Sequence, residues 1–269
     1  MKGSCAAIPR RRGKQVAMTD EYERRKAIRQ QLAREWRPGE PLPVIEYTEE
    51  EDALWETVTA KLSSLHEEVA CANYRRAAET VALERRRVPQ LAEVSPVLTE
   101  LTDFHLQPAE GTVPAARFLG TFADSGFHAA QYLRRPESPY HSPEPDVLHE
   151  LVGHAVMLGD PVFADLYRRF GEAARRVSAP DAMRDLVHVF WFAMETGVVY
   201  EEGRPRVCGA ALLSSVAEME SLDRVELRAF DTADIVAQEF DDTECMPVLF
   251  AAESVDHLVA EVQRFLTRL

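Results

Sequence analysis

The alternation of hydrophobic and polar positions in the first half of the chain predicts helices separated by short irregular stretches. Residues 19–36 are rich in charge and typical of an exposed helix, and helical patterns follow at about 49–65 and 67–87. Pro89 interrupts the pattern, and VPQLAEVSPVLTELT then indicates another helix. The next stretch, FHLQPAEGTVPAARFLG, is typical of a loop with short extended pieces.

The second half is also mainly helical. Asp146 is a suitable N-cap and would place His149 in the first turn of a helix. The triplet Gly-Asp-Pro at 159–161 predicts the end of that helix and the start of the next, with Asp as N-cap and Pro at the first helical position. A further helix is expected from about 180 to 195, ending at Gly197.

Near the end of the chain, VVYEEGRPRVCGA predicts a hairpin that turns at Glu202-Gly203. An amphipathic helix is then expected from Ser254. Its apolar stripe comprises Val255, Leu258, Val259, Val262, Phe265 and Leu266. Since helix dominates and strand is scarce, we predict a mainly α fold with a small hairpin-based sheet. Residues 45–269 are expected to form one domain, preceded by a basic leader and the exposed helix at 1–44.

Composition excludes several classes of function. A formal net charge of −14 argues against a nucleic-acid partner, and no apolar run approaches the roughly 18 residues needed to cross a bilayer. Residues 1–19 are basic but lack the apolar core of a signal peptide, so they are expected to be a disordered leader, or the natural start is Met18. Four scattered cysteines without a CxxC pair indicate a reducing compartment, and we expect a cytoplasmic protein.

The stretch PDVLHELVGHAVML contains the candidate chemistry. His149 and His154 are five residues apart, whereas the HExxH motif of zinc peptidases spaces its histidines by four. In an α-helix five residues place side chains roughly 140° apart, so binding one metal would require His149 near the helix start and the ion toward the helix end. Glu195, the only acid in LVHVFWFAMETG, is the candidate third ligand.

Two imidazoles and one carboxylate are the ligand set of non-haem Fe(II) oxygenases, which favours oxygen chemistry over hydrolysis. Other interpretations remain open on these residues alone. Glu195 could face solvent at its helix end, and the histidines could be ordinary polar residues. A zinc hydrolase using Glu150 as base and a non-catalytic binding module are the rival classes.

Four motifs together resemble the pterin-dependent aromatic amino acid hydroxylases: FHAAQYLRR, SPEPDVLHELVGHAVML, VFWFAMETG and GAALLSS. The resemblance runs from about residue 88 to the C-terminus, is weaker over 45–87, and covers the catalytic domain. It implies the helical-basket fold of that family and an enzyme that uses Fe(II), a tetrahydropterin and O2 to hydroxylate a free aromatic amino acid. The expected partner is that small molecule, with no nucleic acid and no membrane, and the expected assembly is a monomer or weak dimer.

The resemblance also implies site residues. The iron ligands are His149, His154 and Glu195. Phe118 corresponds to the aromatic residue that stacks on the pterin, with Gly111, Leu119 and Glu150 nearby. Arg134 corresponds to the arginine that pairs with the substrate carboxylate. Further substrate-pocket positions are Ser142, Pro145, Trp191 and Ser214. Without the resemblance, a tryptophan such as Trp191 is more often a core residue than a pocket residue, and Arg134 beside Arg135 is compatible with a solvated surface.

The chain departs from the family pattern inside the substrate pocket. Thr196 stands where the family usually has Phe, and Ala211 where it usually has Gly. Together they would shift the bound ring sideways, and a shift of about one ring carbon changes which carbon reacts. We therefore expect L-phenylalanine as substrate and meta-tyrosine as product. His141 is a third change nearby, and Asp242 keeps tyrosine as the second choice; tryptophan is the third.

Overall fold

The structure, a computed structural model, describes residues 12–111, 113–140, 142, 144–240 and 245–269, with side chains from residue 21 onward. His141, Asp242 and residues 1–11 of the predicted leader lie outside these ranges. The α-helices are α1 (Arg12–Glu35), α2 (Glu49–Val69), α3 (Ala72–Val81), α4 (Leu91–Thr102), α5 (Ala115–Thr121), α6 (Val156–Leu158), α7 (Pro161–Arg176), α8 (Pro180–Phe190), α9 (Ala210–Leu213), α10 (Val216–Met219), α11 (Thr232–Ala237) and α12 (Val255–Arg268). Two wider π-helical segments, His149–Ala155 and Trp191–Glu195, adjoin α6 and α8, and Phe122–Asp124 is a 3-10 turn.

Six strands form two small sheets within the described ranges: β1 (His105–Ala109), β2 (Gly126–Ala130), β3 (Val198–Glu201), β4 (Arg204–Val207), β5 (Glu226–Ala229) and β6 (Val248–Ala252). β1 and β2 pair in parallel, with His105 opposite Gly126. The other sheet has the order β4-β3-β6-β5, in which only β3 and β4 are antiparallel. The mainly α prediction with a hairpin sheet is confirmed.

The predicted hairpin turns where expected. Glu202 and Gly203 have φ values of 52° and 74°, and two consecutive positive φ values match the twist of the flanking strands. The hairpin does not stand alone, because β6 adds to β3 in parallel, with Val198 opposite Ala251. This pairing joins segments about 50 residues apart, so the local pattern did not show it.

Two local predictions were wrong. The helix expected over 67–87 is interrupted because Ala70 forms a bridge with Val207, and the Cys71 N–H donates to the Val207 carbonyl at 2.9 Å. The stretch expected to be loop contains α5, which packs against α7. Strand contacts and helix packing from distant segments decide both cases.

Helix α1 was expected to be exposed, but one face of it is buried. Tyr22, Arg29 and Ala33 are covered, and Arg29 forms a buried ion pair with Glu51 at 2.6 Å. The Arg29 guanidinium also lies over the Tyr47 ring, 4.7 Å from its centroid. Some charged residues of α1 therefore stabilise the fold instead of facing solvent. The domain boundary predicted at residue 45 stays a prediction.

The last helix follows its predicted pattern. The Ser254 Oγ accepts from the His257 N–H at 3.0 Å and caps α12. Buried positions on it are Leu258, Val262, Phe265 and Leu266. α12 packs on α7, which in turn packs on α5 and α8. In the described part of the chain, no helix is long and apolar enough to span a membrane.

Candidate active site

Asp146 starts the helix that carries the two histidines. Its Oδ1 accepts from the His149 N–H at 3.1 Å, and its carbonyl accepts from the Glu150 N–H at 2.9 Å. Asp146 is therefore the N-cap, as predicted, and His149 lies in the first turn.

The histidine-bearing segment is π-helical, which corrects the α-helical geometry assumed from the sequence. The Val156 N–H reaches the Leu151 carbonyl, five residues earlier. In a helix closed by such bonds, residues five apart lie close to one another on the same face. The Nε2 atoms of His149 and His154 are accordingly 2.9 Å apart. The five-residue spacing brings the two imidazoles together without displacing a metal toward the helix end.

Glu195 comes from a second π-helical segment. The Thr196 N–H bonds to the Trp191 carbonyl at 2.8 Å, again five residues earlier. The Glu195 carboxylate faces the histidines: Oε1 lies 3.2 Å from the His154 Nε2, and Oε2 lies 3.8 Å from the His149 Nε2. Gly209 lets its own backbone lie against that of Glu195, because a Cβ there would lie 2.4 Å from the Glu195 carbonyl oxygen.

The donor set fits a divalent cation. The Glu195 Oε2 is buried and has no hydrogen-bond partner among the described residues. Burial, followed by the nearby His154, lowers the pKa of His149 to about 4, so its ring is neutral near pH 7. Burial would raise the pKa of Glu195, but His154 and His149 hold it below its usual range. Neutral imidazoles and an ionised carboxylate are the forms that bind metals.

Glu150 is a rival carboxylate, because ligand atoms of His149, Glu150 and His154 all lie within 4.8 Å of one another. Its Oε1, however, accepts from the Ala130 N–H at 3.1 Å. Burial also raises the pKa of Glu150 well above its usual value, which favours a neutral carboxyl group. Both observations favour Glu195 as the third ligand.

Each histidine is held from behind through its other ring nitrogen. The His149 Nδ1 lies 2.9 Å from the Ser214 Oγ, which also bonds to the Ala210 carbonyl. The His154 Nδ1 lies 2.6 Å from the Tyr167 Oη. Such partners fix ring orientation in metal sites. The motifs indicated Ser214 only as a substrate-pocket residue, and Tyr167 was not identified from the sequence.

Two pockets meet at His149 and Glu195, and His154 lines the second of them. One has about 730 Å³ of empty space and the other about 830 Å³, both including their open mouths. The first contains the described substrate candidates Arg134, Ser142, Pro145, Trp191, Thr196, Ala211 and Ser214. The second contains the pterin candidates Gly111, Phe118, Leu119 and Glu150. Shared by both are Pro145, His149, Trp191 and Glu195.

Arg134 lies in the first pocket with its bidentate edge already in use. Its Nε and Nη2 donate to Asp146 Oδ2 and Oδ1 at 3.0 and 2.8 Å, and its Nη1 reaches the Ser214 carbonyl at 3.2 Å. The Nε–Nη2 edge of Arg134 is therefore taken by Asp146, and the pairing of Arg134 with a substrate carboxylate stays a prediction. What Arg134 presents to the pocket is a positive charge fixed in orientation.

Phe118 lies in the second pocket on a cluster of aromatic rings. Its ring makes edge contacts with Phe122, Phe127 and Phe190 at centroid distances of 4.9, 5.5 and 6.2 Å. These contacts hold one face of the pocket rigid and apolar.

Comparison with known proteins decides the family. The model of the biopterin-dependent aromatic amino acid hydroxylases matches residues 15–269. The chain belongs to this family. The phenylalanine 3-hydroxylase of Streptomyces coeruleorubidus is 40% identical over 254 residues, which cover 94% of this chain and 91% of that enzyme. The tyrosine 3-monooxygenase of Bos taurus is 36% identical, but this chain spans 52% of its length, about half, as with the other animal tyrosine enzymes.

Solved structures of the family have the same fold. The phenylalanine hydroxylase of Chromobacterium violaceum, with bound iron(III) and 7,8-dihydrobiopterin, has a TM-score of 0.78 and 26% identity, covering 86% of this chain and 85% of that one. The apo phenylalanine hydroxylase of Colwellia psychrerythraea has a TM-score of 0.76 over 84% of this chain and 90% of that one, at 23% identity. This hydroxylase is a pterin-dependent aromatic amino acid monooxygenase, and the zinc hydrolase and binding-module interpretations are set aside.

Several pocket residues of this hydroxylase were not identified from the sequence. Those in the first pocket are Glu144, Ser215, Glu218 and Met246, and those in the second include His128, Tyr132 and Val187. The sequence contains a signal for His128 and Tyr132. They lie two residues before and two residues after Ala130, and residues two apart along an extended strand face the same side. Met246 carried none, since it comes from a distant segment.

Proposed function

We propose that this hydroxylase converts free L-phenylalanine to meta-tyrosine, using Fe(II), O2 and a tetrahydropterin. One observation carries the proposal: His149 and Glu195 line both pockets, and His154, the third member of the donor set, lines the second. A metal held by these three residues is within reach of a ligand in either pocket. Two imidazoles and one carboxylate suit Fe(II) and leave coordination positions open.

When bound, the iron and a reduced pterin would supply the activation of O2. The contribution of the protein is binding, orientation and exclusion of water. The surroundings of the donor set support this division, because His154 and Glu195 are buried and the Phe127 ring packs on His154.

The second pocket suits the pterin. Phe118 offers a ring face on which a flat heterocycle can stack, and Leu119 adds apolar contact. Glu150 lies in the same pocket with a carboxyl group kept neutral by burial, so it can donate a hydrogen bond to a ring nitrogen or oxygen. Gly111 has a φ of 151°, a conformation that disfavours any side chain. Because glycine has no Cβ, the backbone at this position can lie close to a bound pterin.

The first pocket suits an amino acid. Arg134 supplies positive charge for the substrate carboxylate, and Trp191 provides an apolar wall for the ring. Ser142, Pro145 and Ser214 complete the candidate contacts.

The choice of the meta carbon rests on Thr196 and Ala211. Both line the first pocket, Thr196 directly after the ligand Glu195, and Ala211 in the helix that leads to Ser214. Thr196, smaller than the usual Phe, opens space in the pocket near the metal. The methyl group of Ala211, where the family usually has Gly, takes up space on the neighbouring wall of the pocket. A ring displaced by about 1.4 Å presents a different carbon, and displacements of this order matter in catalysis. The similarity to a phenylalanine 3-hydroxylase supports the same choice.

Product analysis tests the proposal. Purified protein would receive Fe(II), a tetrahydropterin, O2 and equal amounts of phenylalanine, tyrosine and tryptophan, and products would be separated by chromatography and identified by mass. We expect meta-tyrosine as the main product, and none when Fe(II) or the pterin is omitted. Para-tyrosine, a catechol or hydroxytryptophan would refute the substrate or ring position while keeping the reaction type.

We also infer a reducing, cytoplasmic location and a monomer or weak dimer. The location is supported by Cys71 and Cys208, which are both buried free thiols. The two residues lie on neighbouring segments, because the Cys71 N–H donates to the carbonyl of Val207, and yet they form no disulfide. Sedimentation at several protein concentrations would test the assembly.

A further inference from the structure

Tyr167 lies directly behind the candidate ligand His154. Its Oη is 2.6 Å from the His154 Nδ1, and the side chain is fully buried in α7. Its second polar neighbour is the sulfur of Met157, which accepts from the Tyr167 hydroxyl at 4.0 Å. A short hydrogen bond in a dry environment therefore joins α7 to the histidine-bearing π-helical segment.

The direction of this hydrogen bond follows from what the other side of the ring must do. The His154 Nε2 faces the His149 Nε2 and Glu195 Oε1 at 2.9 and 3.2 Å. To bind a metal there, Nε2 must offer its lone pair, so the ring proton has to reside on Nδ1. Nδ1 then donates to Tyr167 Oη, and the tyrosine proton points to the Met157 sulfur.

The phenol ring cannot easily leave this position. It makes edge contacts with Phe122, Phe190 and Phe104 at centroid distances of 5.2, 5.8 and 6.3 Å. A buried hydroxyl fixed in this way accepts from one direction, and no solvent competes for the imidazole proton. Ser214 holds His149 similarly, but its hydroxyl also bonds to the Ala210 carbonyl.

We propose that Tyr167 is a positioning residue that keeps the His154 proton on Nδ1 and thereby presents Nε2 to the metal. The inference rests on the proposed function for the identity of the site, and it extends that function by a residue outside both pockets. Without the hydroxyl, the Nδ1–H would be buried without an acceptor. Nε2 protonation, with donation to Glu195, would then compete with metal binding.

The test compares Tyr167→Phe with Tyr74→Phe. Tyr74 is a matched control, because it is also fully buried and its hydroxyl donates to the Val152 carbonyl of the same π-helical segment at 2.8 Å. Co(II) is the probe, titrated into metal-free full-length protein by calorimetry. We expect Tyr167→Phe to raise the Co(II) Kd by about 10- to 100-fold and Tyr74→Phe to change it less than about threefold. Equal Kd values for wild type and Tyr167→Phe, or equal losses in both variants, would overturn the proposal.

A second measurement needs no metal. The 15N chemical shifts of the ring nitrogens in histidine-labelled metal-free protein report which nitrogen carries the proton. We expect His154 to be protonated mainly at Nδ1 in wild type and in Tyr74→Phe, and to shift toward Nε2 in Tyr167→Phe. An unchanged proton position in Tyr167→Phe contradicts the role of Tyr167. Failure of wild-type protein to bind Co(II) contradicts the proposed metal site instead, so the two ideas fail separately.

Discussion

Asp146 binds Arg134 through a carboxylate that also caps the histidine-bearing helix. Its Oδ1 accepts from both the Arg134 Nη2 and the His149 N–H, at 2.8 and 3.1 Å, and both side chains of the ion pair are almost fully buried. The charge that faces the substrate pocket and the first turn of the metal-binding helix therefore share one anchor. A change at Asp146 must disturb both.

Replacing Asp146 with Asn is expected to destabilise the fold strongly, because it leaves the Arg134 charge buried without its counterion. Breaking a buried pair costs about 3–5 kcal/mol in free energy of unfolding. Urea denaturation of the metal-free protein measures this. Asp165→Asn is the control: its partner Arg169 is an exposed neighbour on α7, and the expected loss is below about 1 kcal/mol. Similar losses of unfolding free energy in the two variants would show that the Asp146–Arg134 ion pair stabilises the fold no more than an exposed pair does.

Isosteric substitutions can decide whether Glu195 or Glu150 is the third metal ligand. Glu195→Gln removes an ionised ligand and is expected to weaken Co(II) binding by more than about 100-fold and abolish hydroxylation, since even outer partners of metal ligands are worth 10- to 100-fold. Glu150→Gln replaces a carboxyl group that burial already keeps neutral, so Co(II) affinity should stay within about threefold of wild type. The opposite ranking in calorimetry would make Glu150 the ligand.

Phe118→Leu tests the pterin pocket. Leucine keeps much of the apolar volume but loses the ring face, and an aromatic pair is worth about 0.5–1.5 kcal/mol beyond its buried area. We expect the KM for the tetrahydropterin to rise about 3- to 10-fold while the KM for the amino acid is nearly unchanged. Steady-state kinetics with each substrate varied in turn would check this. A selective rise in the amino acid KM would reverse the assignment of the two pockets.

The ring-position hypothesis predicts that the family's usual residues restore the family's usual product. In the Thr196→Phe/Ala211→Gly double variant, we expect the ratio of meta- to para-tyrosine to fall by at least about tenfold, which corresponds to roughly 1.4 kcal/mol between the two transition states. Ala217→Gly, in α10 and outside both pockets, should leave the ratio unchanged. An unaltered ratio in a folded, active double variant would assign the ring position to other residues.

Burial of His66 predicts a dependence of stability on pH. Its pKa is lowered to about 4 by burial, partly offset by a hydrogen bond to the Leu213 carbonyl. The unfolded chain takes up the proton near pH 6.5, whereas the folded protein does so near pH 4. The free energy of unfolding should therefore fall as pH decreases from 6.5 to 4, by roughly 1.4 kcal/mol per pH unit for this group. His149, with a similar pKa, adds to the effect.

The His66→Gln variant isolates that contribution. Urea denaturation of metal-free protein between pH 4.5 and 6 should show a slope smaller than wild type by roughly 1.4 kcal/mol per pH unit. Identical slopes would mean that His66 is protonated in the folded protein, contrary to its burial.

The sequence by itself determined several of the elements and the type of chemistry. Local rules were sufficient for the Asp146 cap, the Glu202-Gly203 turn and the stripe on α12, because each depends on neighbours a few positions away. The motifs around His149 and Glu195 were sufficient for the family, which the comparisons confirm.

Tertiary structure decided how those residues meet. Two π-helical segments bring His149, His154 and Glu195 together, and neither segment was visible in a pattern that assumes 3.6 residues per turn. The Asp146–Arg134 pair and the Tyr167 hydrogen bond join separate elements of the fold. Such contacts depend on how helices and strands pack, and packing is set by the whole core rather than by local sequence.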